Sequence, residues 1–101
     1  MNSVVVTKHA EKRIKERIGG NKKSAHRIAQ RAYNDGLTEF DCKGTLNWWM
    51  RDQFYAKCTI SDLRLYRDHL FLFNKSVLIT VLPMPNALKY TYHRMTRPAL
   101  S

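Results

Sequence analysis

Three residues near the start of the chain, His9, Arg13 and Arg17, follow one another at steps of four residues. At about 100° per residue, a helix places them along one border of an apolar stripe. The stripe consists of Ala10, Ile14 and Ile18. A titratable imidazole beside two permanently charged guanidinium groups is suited to binding and handling phosphate. A basic amphipathic helix whose polar border happens to include a histidine explains the same spacing equally well, so both interpretations stay open.

The chain carries a large excess of positive charge. Its 101 residues contain 18 Lys and Arg against 8 Asp and Glu, a formal net charge of +10. Positive charge is concentrated in segments 1–36 and 63–101, whereas segment 37–62 is close to neutral. Such a field favours a polyanion, most often nucleic acid, or an acidic protein surface. A solubilising surface is the simpler alternative.

Length and composition predict one folded domain over residues 1–101 with a modest core. Hydrophobic residues make up 44% of the chain, which is typical of a globular protein. No stretch is long and apolar enough to cross a bilayer, and the start of the chain lacks the pattern of a signal peptide. We therefore expect no membrane association and a cytoplasmic location.

The cysteines and histidines do not have the spacing of a metal site. Cys42, Cys58, His69 and His93 contain neither C-x-x-C nor H-x-x-x-H. Two cysteines could pair, but they form no disulfide framework, so we expect reduced thiols. The sequence predicts no metal and no cofactor.

Two helices are predicted in the first third of the chain. The β-branched run 4–6 precedes Thr7, whose hydroxyl can cap a first helix that ends at Gly19-Gly20. A second, alanine-rich helix runs from about residue 22 or 23 to Asn34 and stops at Gly36. Its polar face carries a second basic stripe of Lys23, Arg27 and Arg31, which a solvated face explains nearly as well.

Segment 43–57 is compatible with a helix or a strand, and we interpret it as a helix. This places Trp48 and Tyr55 on the outer face with Arg51 between them. Exposed aromatic residues beside a cation suit base stacking or a protein interface. Burial of these rings against the C-terminal tail is an alternative that the sequence leaves open.

From residue 62 onwards the pattern becomes that of β-strands. Apolar runs at 63–66, 69–73 and 77–82 are separated by short turns, which require an antiparallel meander. The two later runs are almost continuously apolar, so we expect the central strands to be covered on both faces.

Pro83 and Pro85 are expected to end the last strand and to forbid a helix after it. The alternating tail 89–94 then predicts a fourth strand or a partly ordered arm. The expected core spans 4–83, with a basic, aromatic strand or arm over 84–101. The predicted class is α+β, with two or three N-terminal helices packed on one side of a three- to four-stranded antiparallel β-meander.

The order of these elements resembles that of a known group of proteins. The opening Thr7-Lys-His-Ala…Arg13…Glu16-Arg17, the alanine-rich helix ending at Gly36, and the strand Leu78-Ile-Thr-Val-Leu-Pro83 resemble small phage and plasmid proteins. These belong to the superfamily that unites RelE-like and BrnT-like toxins with barnase- and colicin-type ribonucleases. The resemblance covers roughly residues 4–83 at the level of element order and supports the fold more than the activity.

The resemblance implies RNA cleavage without a metal ion, in which the 2′-hydroxyl attacks the adjacent phosphorus. It carries over His9, Arg13, Arg17 and Thr80 as catalytic residues. His9 would act as acid or base, the two arginines would bind the phosphate, and Thr80 or Tyr66 would donate a hydrogen bond.

The matched motif lacks a second proton-transfer group. His93, Tyr92 and His69 are candidates for it, whereas Glu11 and Glu16 are expected on the solvent side of the first helix. The expected nucleic-acid contacts come from both basic ends of the chain. They are Lys12, Lys23, Arg27, Arg31, Tyr90, Tyr92 and Arg94.

Three functions are compatible with these features. The first is a metal-independent endoribonuclease, toxin-like or phage-encoded, acting on RNA. The second is a non-catalytic basic protein that binds nucleic acid, or an anti-CRISPR-like inhibitor that binds a host nuclease or CRISPR effector. The third is a homodimer or an antitoxin-paired protein whose interface uses Trp48, Tyr55 and the sheet edge.

Overall fold

The computed structural model describes residues 3–42, 44–56 and 60–96. Cys58 and the end of the tail lie outside these residues, as do the side chains of Phe54 and Tyr55. The elements are β1 (Val5–Val6), α1 (Lys8–Arg17), α2 (Lys22–Asp35), a 3-10 turn (Glu39–Asp41), α3 (Gly44–Ala56), β2 (Asp62–Tyr66), β3 (His69–Asn74), β4 (Val77–Pro83) and α4 (Asn86–Thr96).

The first two helices begin and end where their capping residues place them. The Thr7 hydroxyl accepts a hydrogen bond from the backbone N–H of Ala10 at 3.1 Å, and the Asn21 side chain accepts one from Ser24 at 2.9 Å. Between the helices the chain turns through Gly19, whose φ of 100° an L side chain rarely adopts. The predicted positions of both helices are confirmed.

The sheet is mixed, with the order β1-β4-β3-β2. The antiparallel meander β2-β3-β4 is confirmed, but the fourth strand comes from the start of the chain, not from the tail. β1 pairs in parallel with β4, Val5 opposite Val77 and Val6 opposite Leu78. A parallel partner requires a long crossover, which the helical segment between β1 and the meander supplies. The expectation of a purely antiparallel sheet was therefore wrong.

The C-terminal segment Asn86–Thr96 forms helix α4, so the predicted strand or arm was wrong. A proline blocks a helix only in its interior, and Pro85 precedes the first turn. Its carbonyl accepts a hydrogen bond from the N–H of Leu88 at 2.9 Å. Leu88 and Tyr92, four residues apart, are both buried on one face of the helix. Their spacing also fits an alternating strand, which explains the misassignment.

Helices cover both faces of the sheet. α1 and α2 pack on one face around Phe71, Phe73 and Val81, whereas α3 and α4 pack on the other around Leu65, Leu70 and Leu72. The expected covering of the central strands on both faces is confirmed. Placement of all the helices on one side was wrong, because Leu46 and Met50 of α3 are fully buried with the second group.

Gly36 directly follows α2 and lies against β2. A Cβ at this position would lie 2.5 Å from the carbonyl oxygen of Ala32 and 3.0 Å from that of Leu65. We expect Gly36→Ala to lower the free energy of unfolding by about 1–3 kcal/mol, since backbone atoms must move. Urea denaturation measures this. The exposed Asn34→Ala serves as control, and equal midpoints for the two variants would contradict the packing.

Candidate active site

His9 and Thr80, which are 71 positions apart in the sequence, are brought together by α1 and β4. His9 Nε2 lies 3.1 Å from Thr80 Oγ1. His9 is exposed on the first turn of α1, whereas Thr80 is 7% exposed. The Thr80 hydroxyl can accept a hydrogen bond from a protonated Nε2, which leaves Nδ1 as the basic nitrogen, or donate one to an unprotonated Nε2. Thr80 can therefore fix the orientation of the His9 ring, and the first arrangement is the one in which His9 can act as a base.

The backbone around Thr7 holds the start of α1 against β4. The Thr7 N–H donates to the carbonyl of Leu78 at 3.3 Å, and the Thr7 hydroxyl donates to the same carbonyl at 3.0 Å. A bulge in β4 adjoins this contact, because Leu72 pairs with Thr80 and Phe73 pairs with Leu78, which leaves Ile79 as an extra residue. Bulges change the direction of neighbouring side chains, and this one adjoins the strand position that meets His9.

Arg13 and Arg17 continue from His9 along α1 at steps of about 6 Å in helical rise. Arg17 is exposed, and Arg13 forms an ion pair with Glu16 at 3.5 Å, also at the surface. Within the described part of the chain, neither arginine has a hydrogen bond to His9 or Thr80. Both guanidinium groups thus lie on the same helix as the imidazole, and a phosphate ligand would have to bridge them.

The second carboxylate of α1, that of Glu11, is bound by a lysine of the same helix. The Glu11 carboxylate accepts a hydrogen bond from Lys15 at 2.9 Å, and this bond lowers the pKa of the Glu11 carboxyl. Glu11 and Glu16 therefore each bind a cation of their own helix. Neither contacts the His9 imidazole among the described contacts, so no carboxylate base is placed beside His9.

Helices α1 and α2 carry a set of exposed cations, and we call the surface that they form the α1–α2 face. Its side chains are exposed on two neighbouring helices that pack on the same face of the sheet, and no described ion pair neutralises them. They are Lys12, Lys23, Arg27 and Arg31. Cations that project into water without partners can bind phosphates at little cost in broken interactions.

The predicted contacts of the tail lie elsewhere. Tyr90 is 69% exposed, with the Arg94 guanidinium 5.7 Å from its ring centroid, and it can stack on a base. Tyr92 is 6% exposed, and its burial raises the pKa of its phenol. Its ring is therefore unavailable for open stacking. α4 packs on the sheet face opposite α1, so the structure does not bring these residues to His9.

None of the candidates for a second proton-transfer group contacts His9 or Thr80 in the described residues. His93 Nε2 lies 2.5 Å from a carboxylate oxygen of Asp68, and His69 Nδ1 lies 2.6 Å from the carbonyl of Arg67. Tyr66 packs edge-on against Phe71, with the ring centroids 6.2 Å apart. The site at His9 therefore supplies one proton-transfer group.

The Asp68–His93 pair was not predicted. It borders an open groove of about 610 Å³, which we call the hairpin groove because the β2–β3 turn forms one wall. The groove is lined by Asp35, Leu37, Leu65, Tyr66, Arg67, Asp68, Tyr92 and His93. The two-residue turn Arg67-Asp68 was visible in the sequence, but nothing there indicated that α4 would pack against it.

A second depression lies on α3 beside Trp48, which is 77% exposed as predicted. It has a volume of about 330 Å³ and is lined by Asn47, Trp48, Arg51 and Asp52. Phe40, 87% exposed, is a second large hydrophobic side chain that faces water. These rings are available to a partner.

Cys42 is a poor nucleophile in the folded protein. It is 3% exposed, and burial raises the pKa of its thiol to about 11. In Cys58→Ser protein at pH 8, we expect Cys42 to react with a disulfide reagent about 100-fold more slowly in the folded state than in urea, because its thiolate fraction falls with the raised pKa. Equal rates in the two states would show that Cys42 is accessible.

The described residues contain no group of three or more His, Cys, Asp or Glu side chains positioned to hold a metal ion. None of their helices is long and apolar enough to span a membrane.

Comparison with protein-family models, with curated proteins and with solved structures gave no match to this chain. What it does must therefore be inferred from its own residues. The observation with the most direct chemical meaning is the contact of an exposed histidine with a buried threonine, on a helix that also carries exposed cations.

Proposed function

We propose that this protein binds nucleic acid across the α1–α2 face and cleaves RNA at His9 without a metal ion. The His9–Thr80 contact carries the proposal, since it holds an imidazole on a helix whose other exposed side chains include cations that attract phosphates. The resemblance of the Thr7–Arg17 segment to the RelE and barnase superfamily supports RNA as the substrate. Such a substrate would place the protein in the cytoplasm.

The chemistry requires one bond to form and one to break at phosphorus. The RNA 2′-oxygen would attack the adjacent phosphorus, and the bond to the 5′-oxygen would break, which leaves a 2′,3′-cyclic phosphate and a 5′-hydroxyl. His9 would take up the 2′-hydroxyl proton at Nδ1, the nitrogen that does not contact Thr80, and water would protonate the leaving oxygen. Arg13 and Arg17 would offset the charge that develops on the phosphoryl oxygens.

A direct assay tests this proposal. Purified protein should cut RNA in the presence of EDTA and leave fragments that end in 2′,3′-cyclic phosphate, with or without ribosomes. RNA that stays intact under all these conditions would overturn it.

The absence of a described partner for proton transfer at His9 favours a second candidate, a non-catalytic binder. Such a protein would bind nucleic acid, a host nuclease or CRISPR effector, or a cognate antitoxin. The exposed Trp48 and Phe40 would be additional contacts. It would bind RNA without cutting it, and its affinity would fall steeply with salt. A homodimer through the same aromatic surface would be seen by sedimentation.

A further inference from the structure

The hairpin groove is less basic than the protein as a whole. Its wall contains two carboxylates, Asp35 and Asp68, one guanidinium, Arg67, and the imidazole of His93, which contacts the Asp68 carboxylate. The chain as a whole carries a net charge of +10. A wall without a surplus of cations attracts phosphate less than the α1–α2 face does, so a bound strand would place an uncharged portion here.

The groove has the dimensions and wall chemistry for a flat, uncharged ring. Its volume of about 610 Å³ is in the range of small-molecule sites. Tyr66 lies on one side, with the Arg67 guanidinium 5.8 Å from its ring centroid. Leu37, held to the buried Leu65 by two backbone hydrogen bonds of 2.8–3.0 Å, adds an apolar section. Aromatic rings and guanidinium planes are the groups on which unpaired bases stack.

A hydrogen-bond acceptor in the groove is available to such a ring. Asp35 is the exposed last residue of α2, and no ion pair or side-chain hydrogen bond joins its carboxylate to another described residue. A carboxylate accepts a hydrogen bond from the amino group of cytosine, whereas it is repelled by the carbonyl oxygen that uracil has at the same position.

The groove begins where the α1–α2 face ends, because Asp35, the last residue of α2, lines it. Tyr66 pairs with His69, and His69 pairs with Pro83, so these residues form one row across the sheet. Thr80 is three residues before Pro83, which corresponds to about 10 Å along β4 and about 10 Å across two strands. A short single strand can therefore contact both places.

We propose that the hairpin groove is a subsite for an unpaired, amino-bearing nucleobase of the strand whose phosphates bind the α1–α2 face. The subsite rests on the proposed binding of nucleic acid, but not on cleavage. Tyr66 and Arg67 stack on the base, and the Asp35 carboxylate accepts a hydrogen bond from its amino group. The phosphate stays outside the groove.

Amide shift perturbation in the NMR spectrum tests this subsite with cytidine monophosphate, uridine monophosphate and ribose 5-phosphate as probes. Cytidine monophosphate should shift the amides of 35–37 and 66–69 and bind about tenfold more tightly than uridine monophosphate. Ribose 5-phosphate, which lacks a base, should not shift these amides.

Variants locate the contacts. Tyr66→Leu should weaken cytidine monophosphate about tenfold, whereas Tyr66→Phe keeps the ring and the affinity. Asp35→Asn should remove the preference for cytidine over uridine, and Asp52→Asn on α3 should not. Shifts confined to α1 and α2 would overturn the subsite while leaving nucleic-acid binding intact. An absence of shifts at millimolar nucleotide would also overturn it, and the cleavage assay then judges the proposed function separately.

Discussion

Replacing His9 by alanine is expected to slow RNA cleavage by about 10²–10⁴-fold, the usual contribution of a positioned general base. The fold should be retained, because His9 is exposed and its described side-chain contact is the one to Thr80. Single-turnover cleavage of a short RNA measures the rate, and thermal unfolding of the same sample measures stability.

Further variants test whether the loss of cleavage is specific to His9 and whether Thr80 orients its ring. His26→Gln changes another exposed histidine and keeps a group that can bond the carbonyl of Val4, so it should cut at the wild-type rate. Thr80→Val removes the hydroxyl that orients His9, and Thr80→Ser restores it. If Thr80→Val slows cleavage and Thr80→Ser recovers it, orientation of the imidazole is supported. A His9→Ala protein as fast as wild type would place the chemistry elsewhere.

Removing three cations of α2 together, Lys23→Ala, Arg27→Ala and Arg31→Ala, should lower the salt dependence of RNA binding. Each phosphate neutralised on a single strand contributes about 0.7 to the slope of log affinity against log salt, so the slope should fall by about 2. The helix should stay folded, since the three side chains are exposed and like charges four residues apart repel. Fluorescence anisotropy over a salt series measures the slope.

Lys89→Ala is the matched control for this prediction. Lys89 lies on α4, on the opposite face of the sheet, and its removal should leave the slope unchanged. A slope unaffected by the triple substitution would mean that the polyanion does not lie along α2. A slope lowered by Lys89→Ala as much per removed cation as by the triple substitution would indicate a diffuse effect of net charge instead of a binding face.

Local patterns predicted the parts of the fold that local interactions determine. The caps at Thr7 and Gly36 and the short turns of the meander depend on neighbours in sequence, and the structure has helices and strands at these places. The parallel pairing of β1 with β4 depends on residues more than 70 positions apart, which no periodicity reveals. Helix α4 was missed because Leu88 and Tyr92 satisfy two periods at once.

The site, too, was predictable where it depends on neighbours in the sequence and not where it depends on contacts between distant segments. The spacing of His9, Arg13 and Arg17 indicated one helix border, but only the resemblance connected His9 with Thr80. The extra residue Ile79 interrupts the alternation of β4, so a regular pattern could not assign the direction of the Thr80 side chain. The hairpin groove depends on α4 meeting the β2–β3 turn, a contact between distant segments that composition and charge do not indicate.

In the proposed reaction, the 2′-hydroxyl of the RNA attacks the adjacent phosphorus with His9 as the base. Two oligonucleotides that differ by one 2′-deoxy nucleotide at the cleaved position test it most directly, with binding and cleavage measured on the same samples. We predict equal affinity for both, cleavage of the RNA and none at the 2′-deoxy position. Equal cleavage of the two, or no cleavage of either, would contradict the mechanism proposed for His9.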